Sequence, residues 1–179
     1  MSVNAPEPMD LCFAVVHTAE DVRRVAALAH EIWHEYYVPL IGAAQVEYMV
    51  SKFQSAAAMQ EQIERGDEYF TIARADQLIG YLAVRTNEAE RSLFISKLYL
   101  QRGERGAGSG RRALQFIEQL AYQRHLELLW LTVNKRNPAV QAYQKCGFAI
   151  AESLRIDIGA GFVMDDYRME KRPPMRSSS

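Results

Sequence analysis

The segment Arg105-Gly106-Ala107-Gly108-Ser109-Gly110 has the pattern R-x-x-G-x-G and stands at the start of a predicted helix. Glycine lets the backbone approach a ligand closely, and a helix N-terminus presents free amides and about half a positive charge. Arg102, Arg111 and Arg112 add positive charge around the segment. The pattern therefore predicts an anion cradle, with a flexible loop rich in Gly and Arg as the alternative at this point.

The elements around this cradle predict an α/β domain with a mixed sheet. Three extended segments precede it, with a two-residue connection at Asp76-Gln77 between the first two: Tyr69–Ala75, Leu78–Arg85 and Leu93–Leu100. An amphipathic helix and the apolar strand Leu128–Val133 follow, and this order predicts a right-handed parallel crossover. The chain then continues with a short helix from Asn137-Pro138 to about Cys146 and a hairpin of Ala149–Ile158 and Phe162–Glu170.

The first third of the chain predicts one strand and three helices. The strand spans Cys12–His17, and a capping box at Thr18-Ala-Glu-Asp21 starts a helix that should run to about Tyr37 and stop before Pro39. Two further helices are expected at Ala43–Phe53 and Ser55–Arg65.

Composition limits the classes of partner. The 179 residues include 21 basic and 22 acidic side chains, so no overall basic field would hold nucleic acid or a membrane surface. Two cysteines make no disulfide framework, no apolar run could span a bilayer, and the start lacks a signal-peptide pattern. We expect a soluble cytoplasmic protein with one domain over residues 1–172 and a frayed tail at 173–179.

The first predicted helix contains a sequence that matches a zinc-binding motif. His30-Glu31-Ile32-Trp33-His34 matches H-E-x-x-H, in which two imidazoles lie one helical turn apart. Both histidines fall on the polar flank of the helix, and a third ligand would have to be Glu47, Glu61 or Glu64, none of which the sequence marks. We therefore expect two solvated histidines and no metal, with a zinc peptidase kept as a weaker alternative.

A dinucleotide-binding fingerprint is a weak match. The segment Gly108–Ala113 fits G-x-G-x-x-A, but residues 101–107 separate it from the preceding strand, whereas the fingerprint begins directly after a strand. A phosphate-binding P-loop fails because no lysine follows Ser109-Gly110.

From about Tyr69 to Lys171 the sequence resembles the GNAT superfamily of acetyl-CoA-dependent N-acetyltransferases. The resemblance rests on an ordered set of pieces: Leu98-Tyr99-Leu100 before the glycine segment, Leu131-Thr-Val133, Asn137, Ala142-Tyr143, Lys145-Cys-Gly147-Phe148 and Asp166-Tyr167-Arg168-Met169-Glu170. It implies a central, twisted, mostly antiparallel sheet of about seven strands with one splayed parallel pair, flanked by helices. Residues 11–66 would form the acceptor side, 69–148 the coenzyme-binding core and 149–171 the closing hairpin.

The resemblance also implies a coenzyme site. The coenzyme's pyrophosphate would bind the backbone amides of Arg105, Gly106, Ala107, Gly108, Ser109 and Gly110. Its pantetheine arm would pair with the backbone of Leu98, Tyr99 and Leu100, at a strand bulge. An amide near Leu98 would stabilise the oxyanion, and Asn137 would contact the coenzyme.

Tyr143 matches the general acid of the resembled family, which protonates the departing thiolate. A phenol of pKa near 10 can donate a proton to a thiolate whose conjugate acid has a pKa of about 8.5, provided that the site orients it. The alternative is that Tyr143 only packs against Val140 and Phe148.

The acceptor is expected to be a primary amine, with a small molecule or a polyamine favoured over a protein. Glu31, Tyr36 and Tyr37 are the candidate acceptor residues, because the first two helices usually shape that site in the resembled family and carboxylates suit a cationic amine. The partners are then acetyl-CoA and the amine, with a homodimer possible. A non-catalytic acyl-CoA-binding module is the other alternative.

Overall fold

A computed structural model describes residues 10–173. Its strands are β1 Leu11–Val15, β2 Glu68–Arg74, β3 Gln77–Asn87, β4 Ser92–Leu100, β5 Leu128–Asn134, β6 Ala149–Gly159 and β7 Phe162–Lys171. Its helices are α1 Ala19–Ile41, α2 Ala43–Met49, α3 Ala56–Glu64, α4 Ser109–Gln123 and α5 Ala139–Lys145. The strands form one sheet in the order β1-β2-β3-β4-β5-β7-β6, in which β4 and β5 are parallel and all other neighbours are antiparallel. The mixed, mostly antiparallel sheet predicted from the sequence is confirmed.

Helix α1 begins where the capping box predicts, but it does not stop before Pro39. The Thr18 hydroxyl accepts a hydrogen bond from the Asp21 amide, and the Asp21 carboxylate accepts one from the Thr18 amide, both at 3.1 Å. The predicted end was wrong: Pro39 lies inside the last turn, where the helix forgoes one amide donor and still continues to Ile41. The helix ends at Gly42, which has a φ of 86° and donates to the Val38 carbonyl at 2.9 Å.

Several other boundaries differ from the predicted ones through local backbone geometry. The second predicted helix divides into α2 and a π-helical turn, Val50–Gln54. The β2–β3 turn uses Ala75 and Asp76, with φ of 45° and 65°, one residue earlier than predicted. Strand β1 ends at Val15 rather than His17. At the other end, Lys171 belongs to β7 and pairs with Glu118 at 2.5 Å, whereas residues 174–179 of the expected tail lie outside the described residues.

The sheet separates two apolar cores. Helix α4 covers one face through Ala113, Leu114, Ile117 and Ala121. Helices α1, α2 and α3 cover the other face, where Trp33, Val46 and Met59 are buried. No helix within residues 10–173 is long and apolar enough to cross a membrane.

The parallel pair opens into a gap halfway along β4. The two strands pair only over Ser92–Ile95 and Leu128–Leu131. Next in β4 comes a bulge: β3 pairs Val84 with Ile95 and Ala83 with Lys97, so Ser96 is an extra residue. Within residues 10–173, β4 beyond the bulge pairs with β3 alone, while β5 continues beside β7. The splayed parallel pair expected from the resemblance is therefore present.

Candidate active site

The glycine segment follows β4 at the open end of this gap. Gly106 and Gly108 have φ of 78° and 85°, in the left-handed region that favours glycine, and a Cβ added at either would meet nothing within 4 Å. The Arg112 amide donates to the Gly108 carbonyl at 3.1 Å and starts the helical ladder of α4. The amides of Ser109 to Arg111 precede that ladder, as at any helix N-terminus. The loop thus has the open surface and free amides that an anionic group requires.

Side chains outside the loop fix its shape. The Glu104 carboxylate accepts hydrogen bonds from Arg74 at 3.0 Å and from the Ser109 hydroxyl at 2.7 Å, and these two bonds lower the pKa of Glu104. Arg105 donates to the Leu100 carbonyl at 2.9 Å and to Glu35 at 2.7 Å. The Arg105 guanidinium therefore ties the loop to β4 and α1, instead of facing the amides of the cradle.

Aromatic and amide side chains join α1 to α5 across the gap. The Tyr36 hydroxyl donates to Asn137 Oδ1 at 2.7 Å, and Asn137 Nδ2 donates to the Tyr37 hydroxyl at 3.3 Å. Asn137 Oδ1 also accepts from the Ala139 amide at 2.9 Å, so Asn137 caps α5 and contacts α1 at the same time. Tyr99 of β4 lies against Tyr37, with ring centroids 6.2 Å apart.

The Tyr143 phenol belongs to the same cluster. Its ring packs edge-on against Phe148 with centroids 5.8 Å apart, and the side chain is half-buried. Burial raises the pKa of Tyr143, and the nearby phenol of Tyr36 and thiol of Cys146 raise it further. Tyr143 is therefore protonated at neutral pH and able to donate a hydrogen bond.

A buried carboxylate, which the sequence did not single out, also faces the cluster. Asp166 of β7 is 5% exposed, and burial, helped by the charge of Asp165, raises its pKa to about 6. Its charge acts on Tyr99, whose pKa is raised chiefly by burial. The sequence signal was the alternation along β7: Phe162 and Met164 pack into the core under α1, and Asp166 comes next on that face.

Lys97 is a second buried charged group beside the bulge. It is 8% exposed, and its ammonium lies 5.7 Å from the centre of the Tyr69 ring. Burial lowers the pKa of Lys97 to about 8, with Arg85 acting in the same direction and Asp67 against it.

Outside the glycine segment, the predicted site residues fall into three groups. The side chains of Tyr36, Tyr37, Tyr99, Asn137 and Tyr143 meet at the gap. Leu98 and Leu100 turn their side chains into the core under α4, so only their backbone groups are available at the gap. Glu31 is exposed on α1, and no hydrogen bond found within residues 10–173 joins it to the cluster.

The H-E-x-x-H histidines lie away from the gap. His30 is exposed and His34 half-buried, so the predicted polar flank is confirmed. The His34 ring contacts the carboxylate of Glu47 on α2, and this contact raises the pKa of His34 and lowers that of Glu47.

A parallel pair that opens beside a glycine-rich helix start is the arrangement implied by the resemblance to acetyltransferases. Comparison with known families identifies the class: the acetyltransferase (GNAT) domain matches residues 37–171. The chain belongs to this family and is an N-acetyltransferase.

Relatives and solved structures agree with this assignment. An uncharacterized N-acetyltransferase of Mycobacterium tuberculosis is 27% identical over 142 residues, which cover 78% of this chain and 90% of that protein. The crystal structure of PaiA N-acetyltransferase from Thermoplasma acidophilum in complex with coenzyme A has a TM-score of 0.77 and 19% identity, covering 92% of this chain and 99% of that one. Spermidine N-acetyltransferase from Vibrio cholerae in complex with CoA and spermine has a TM-score of 0.66 and 18% identity, covering 91% and 95%. At these identities the two structures show a shared fold.

Proposed function

We propose that this N-acetyltransferase moves an acetyl group from acetyl-CoA directly to a primary amine while both are bound. The observation that carries the proposal is that a neutral phenol, Tyr143, and a buried carboxylate, Asp166, both act electrostatically on Tyr99 of β4 beside the gap. A binding module without catalysis has no use for this pair.

In this proposal the coenzyme lies along the open edge of β4. The pyrophosphate binds the amides of residues 106–110, because the Arg105 amide already donates to the Arg102 carbonyl at 3.3 Å, and the pantetheine arm pairs with the backbone of Leu98, Tyr99 and Leu100. Beyond Ser96, no strand within residues 10–173 pairs with β4 on the β5 side, which supports an extended ligand there; of the backbone groups at this edge, the Leu100 carbonyl already accepts a hydrogen bond from Arg105. Asn137 contacts the coenzyme when its bond to Tyr36 is exchanged.

The chemistry removes two protons from the acceptor nitrogen and supplies one to the leaving sulfur. The ammonium of the acceptor loses a proton to Asp166, whose raised pKa makes it a stronger base than an exposed carboxylate. The amine nitrogen attacks the thioester carbon, and the Leu98 amide stabilises the resulting oxyanion. The carbon–sulfur bond then breaks, Tyr143 protonates the sulfur, and the nitrogen gives its second proton back to the Tyr143 phenolate. The products are the N-acetyl amine and the free thiol of CoA, with no covalent enzyme intermediate.

A small cationic amine, polyamine-like in character, is the acceptor class that we favour. Tyr37 and Tyr99 offer aromatic rings to a cation, and Asp166 offers a desolvated negative charge, whereas the Arg105 guanidinium already covers the Tyr36 ring, 4.4 Å from its centre. The exposed Glu31 on α1 would attract a second ammonium, whereas the charge of Glu35 is already paired with Arg105. The spermidine N-acetyltransferase of Vibrio cholerae, whose structure holds CoA and spermine, is consistent with this choice.

The test is a screen of primary amines with acetyl-CoA. Each reaction is followed by mass spectrometry for the gain of one acetyl group and by thiol release, first with diamines and polyamines, then amino acids, aminoglycosides and peptide N-termini. We expect acetylated di- or polyamine in amounts equal to the thiol released. Turnover on peptide N-termini with none on small amines would contradict the acceptor class.

We also propose a homodimer. Strand β6 has no neighbour on its outer side within the described sheet, and it exposes Ile150 by 43% and Ile156 by 45%. An unpaired edge strand with exposed apolar side chains favours pairing with another copy. Light scattering at several concentrations, with Ile156→Lys as the weakened variant, tests this assembly.

A further inference from the structure

The corner between α1 and α2 brings together three groups that acetyl transfer does not use. One ligand atom each from His30, His34 and Glu47 lies within 4.8 Å of the others. The two histidines come from adjacent turns of α1, and the carboxylate comes from α2 beyond the bend at Gly42. Glu47 is one of the three carboxylates that the sequence offered as a third ligand.

The hydrogen bond at His34 Nδ1 determines which side of the ring is free. This nitrogen lies 2.7 Å from the His30 carbonyl oxygen, which can only accept, so Nδ1 carries the hydrogen. In a neutral imidazole, Nε2 then has a lone pair, and it faces the Glu47 carboxylate, another acceptor. Two acceptors in contact require a cation between them, either a proton or a metal ion.

The surroundings of His34 and Glu47 have the features of a metal-binding site. A backbone carbonyl that orients Nδ1–H, and so fixes Nε2 as the ligand, is a common outer-shell partner of metal-bound histidine. Two imidazole nitrogens and one carboxylate oxygen suit Zn²⁺ and similar first-row ions, and the exposure of His30 and Glu47 leaves room for water as a further ligand. We propose that His30, His34 and Glu47 bind one divalent transition-metal ion of the Zn²⁺ class.

The ion would act as a clamp between two helices. Helix α2 has only seven residues, and the side chains at its N-terminus make no capping hydrogen bond. Gly42, which joins it to α1, has a φ of 86° and open space around it. An ion held from both helices fixes α2 against α1, within a turn of Tyr36 and Tyr37. The role is structural, because the reacting groups lie at the gap. The expectation of no metal rested on the absence of a third ligand, which Glu47 supplies.

The experiment titrates metal-stripped protein with ZnCl₂ by calorimetry, in competition with a chromophoric chelator. We expect one ion per chain at micromolar affinity or tighter, and a rise in melting temperature with added zinc. Co²⁺ should give the visible absorption of a low-coordinate site. Sub-stoichiometric binding, or zinc without effect on the melting temperature, would overturn the proposal.

Matched variants test which side chains bind the zinc ion. His34→Gln and Glu47→Gln should each weaken zinc binding by about tenfold or more, because even changes in outer-shell partners cost that much. His17→Gln removes an exposed histidine elsewhere and should bind zinc like the unaltered protein. Equal affinity in Glu47→Gln would refute Glu47 as a ligand. Equal losses in all three variants would show non-specific binding and refute the site. Melting of the zinc-free variants checks their folding, and none of these readouts depends on acetyl transfer.

Discussion

The glycine loop after β4 and the aromatic cluster at the gap are built in different ways. The loop is six consecutive residues whose proposed work is done by backbone amides, and its side chains serve mainly to brace it. The cluster depends on side chains from distant parts of the chain: Tyr36 and Asn137, which share a hydrogen bond, are 101 residues apart. A site built from backbone amides should lose ligand binding when a substitution prevents the required backbone conformation. A site built from side chains should lose one interaction with each substitution.

The largest effect is expected in the loop. Gly108→Glu adds a side chain at a φ of 85° and a negative charge where the pyrophosphate would bind. We expect acetyl-CoA affinity to fall by about a hundredfold or more, equivalent to about 2.7 kcal/mol. Calorimetry measures the affinity, and thermal unfolding checks the fold. Gly103→Glu is the control, because it adds the same charge nearby without a left-handed φ. Intact binding in Gly108→Glu would remove the loop from the coenzyme site.

Tyr143→Phe should lower turnover at the aromatic cluster without weakening coenzyme binding at the loop. The ring and its packing on Phe148 are kept, but the proton donor is lost, so kcat should fall by about 10²-fold or more. Acetyl-CoA affinity should stay within a few-fold. Steady-state kinetics and calorimetry separate the two effects, and Tyr122→Phe, at a 49% exposed position on α4, is the matched control. Unchanged turnover would exclude Tyr143 as the acid.

Asp166→Asn should lower the activity of the protein while raising its stability. Loss of the base that takes the ammonium proton should lower kcat/KM for the amine by about a hundredfold, the low end of what a general base contributes. The same change should stabilise the protein at pH 7.5 by about 1–2 kcal/mol, because the folded pKa of Asp166, about 6, lies above its ordinary 3.8.

The pH dependence of that gain has a defined sign. A raised carboxyl pKa means that the native state holds the proton more tightly, so ionisation costs stability as pH rises from about 4 to 6. The advantage of Asp166→Asn in urea unfolding should therefore be full above pH 6 and vanish towards pH 4. Asp165→Asn is the control, because an ion pair with Lys135 lowers the pKa of Asp165. An advantage that persists at pH 4 would contradict the assignment.

The smallest effect is expected at Tyr36. Tyr36→Phe removes one neutral hydrogen bond to Asn137, worth about 1 kcal/mol, and should change kcat/KM for the amine within about fivefold. The measurement is the kinetic comparison with Tyr122→Phe. A loss greater than that of Asp166→Asn would mean that Tyr36 contacts the reacting groups directly.

The order of elements could be predicted because its signals are local. Apolar alternation in β2 to β4, the glycines before α4 and the Asn137 cap each act within a few residues of where they stand. The passage of α1 through Pro39 could not be predicted in the same way, because it depends on how many helical bonds surround the proline. The turn at Ala75 and Asp76 depends on two non-glycine residues that adopt left-handed backbone.

The candidate site shows the same contrast between local signals and contacts that form only on packing. The loop was visible because its residues are contiguous. The bond between Tyr36 and Asn137, the burial of Asp166 and the approach of Glu47 to His34 arise only when separate elements pack together. Spacing along a chain carries no information about such meetings, and so Asp166 was quoted only as part of a family-like segment.

The extra residue in β4 has a consequence for how this architecture could arise. Leu93 and Ile95 point under α4, and after Ser96 the residues Leu98 and Leu100 point there again. A chain lacking Ser96 would keep strict alternation and every one of these leucine and isoleucine side chains on its present side. Interior packing would thus be satisfied by an unbroken parallel sheet with no opening for a thioester. We expect deletion of Ser96 to leave this interior packing intact and to remove the point at which β4 leaves β5, so that circular dichroism shows a folded protein and calorimetry shows no binding of acetyl-CoA.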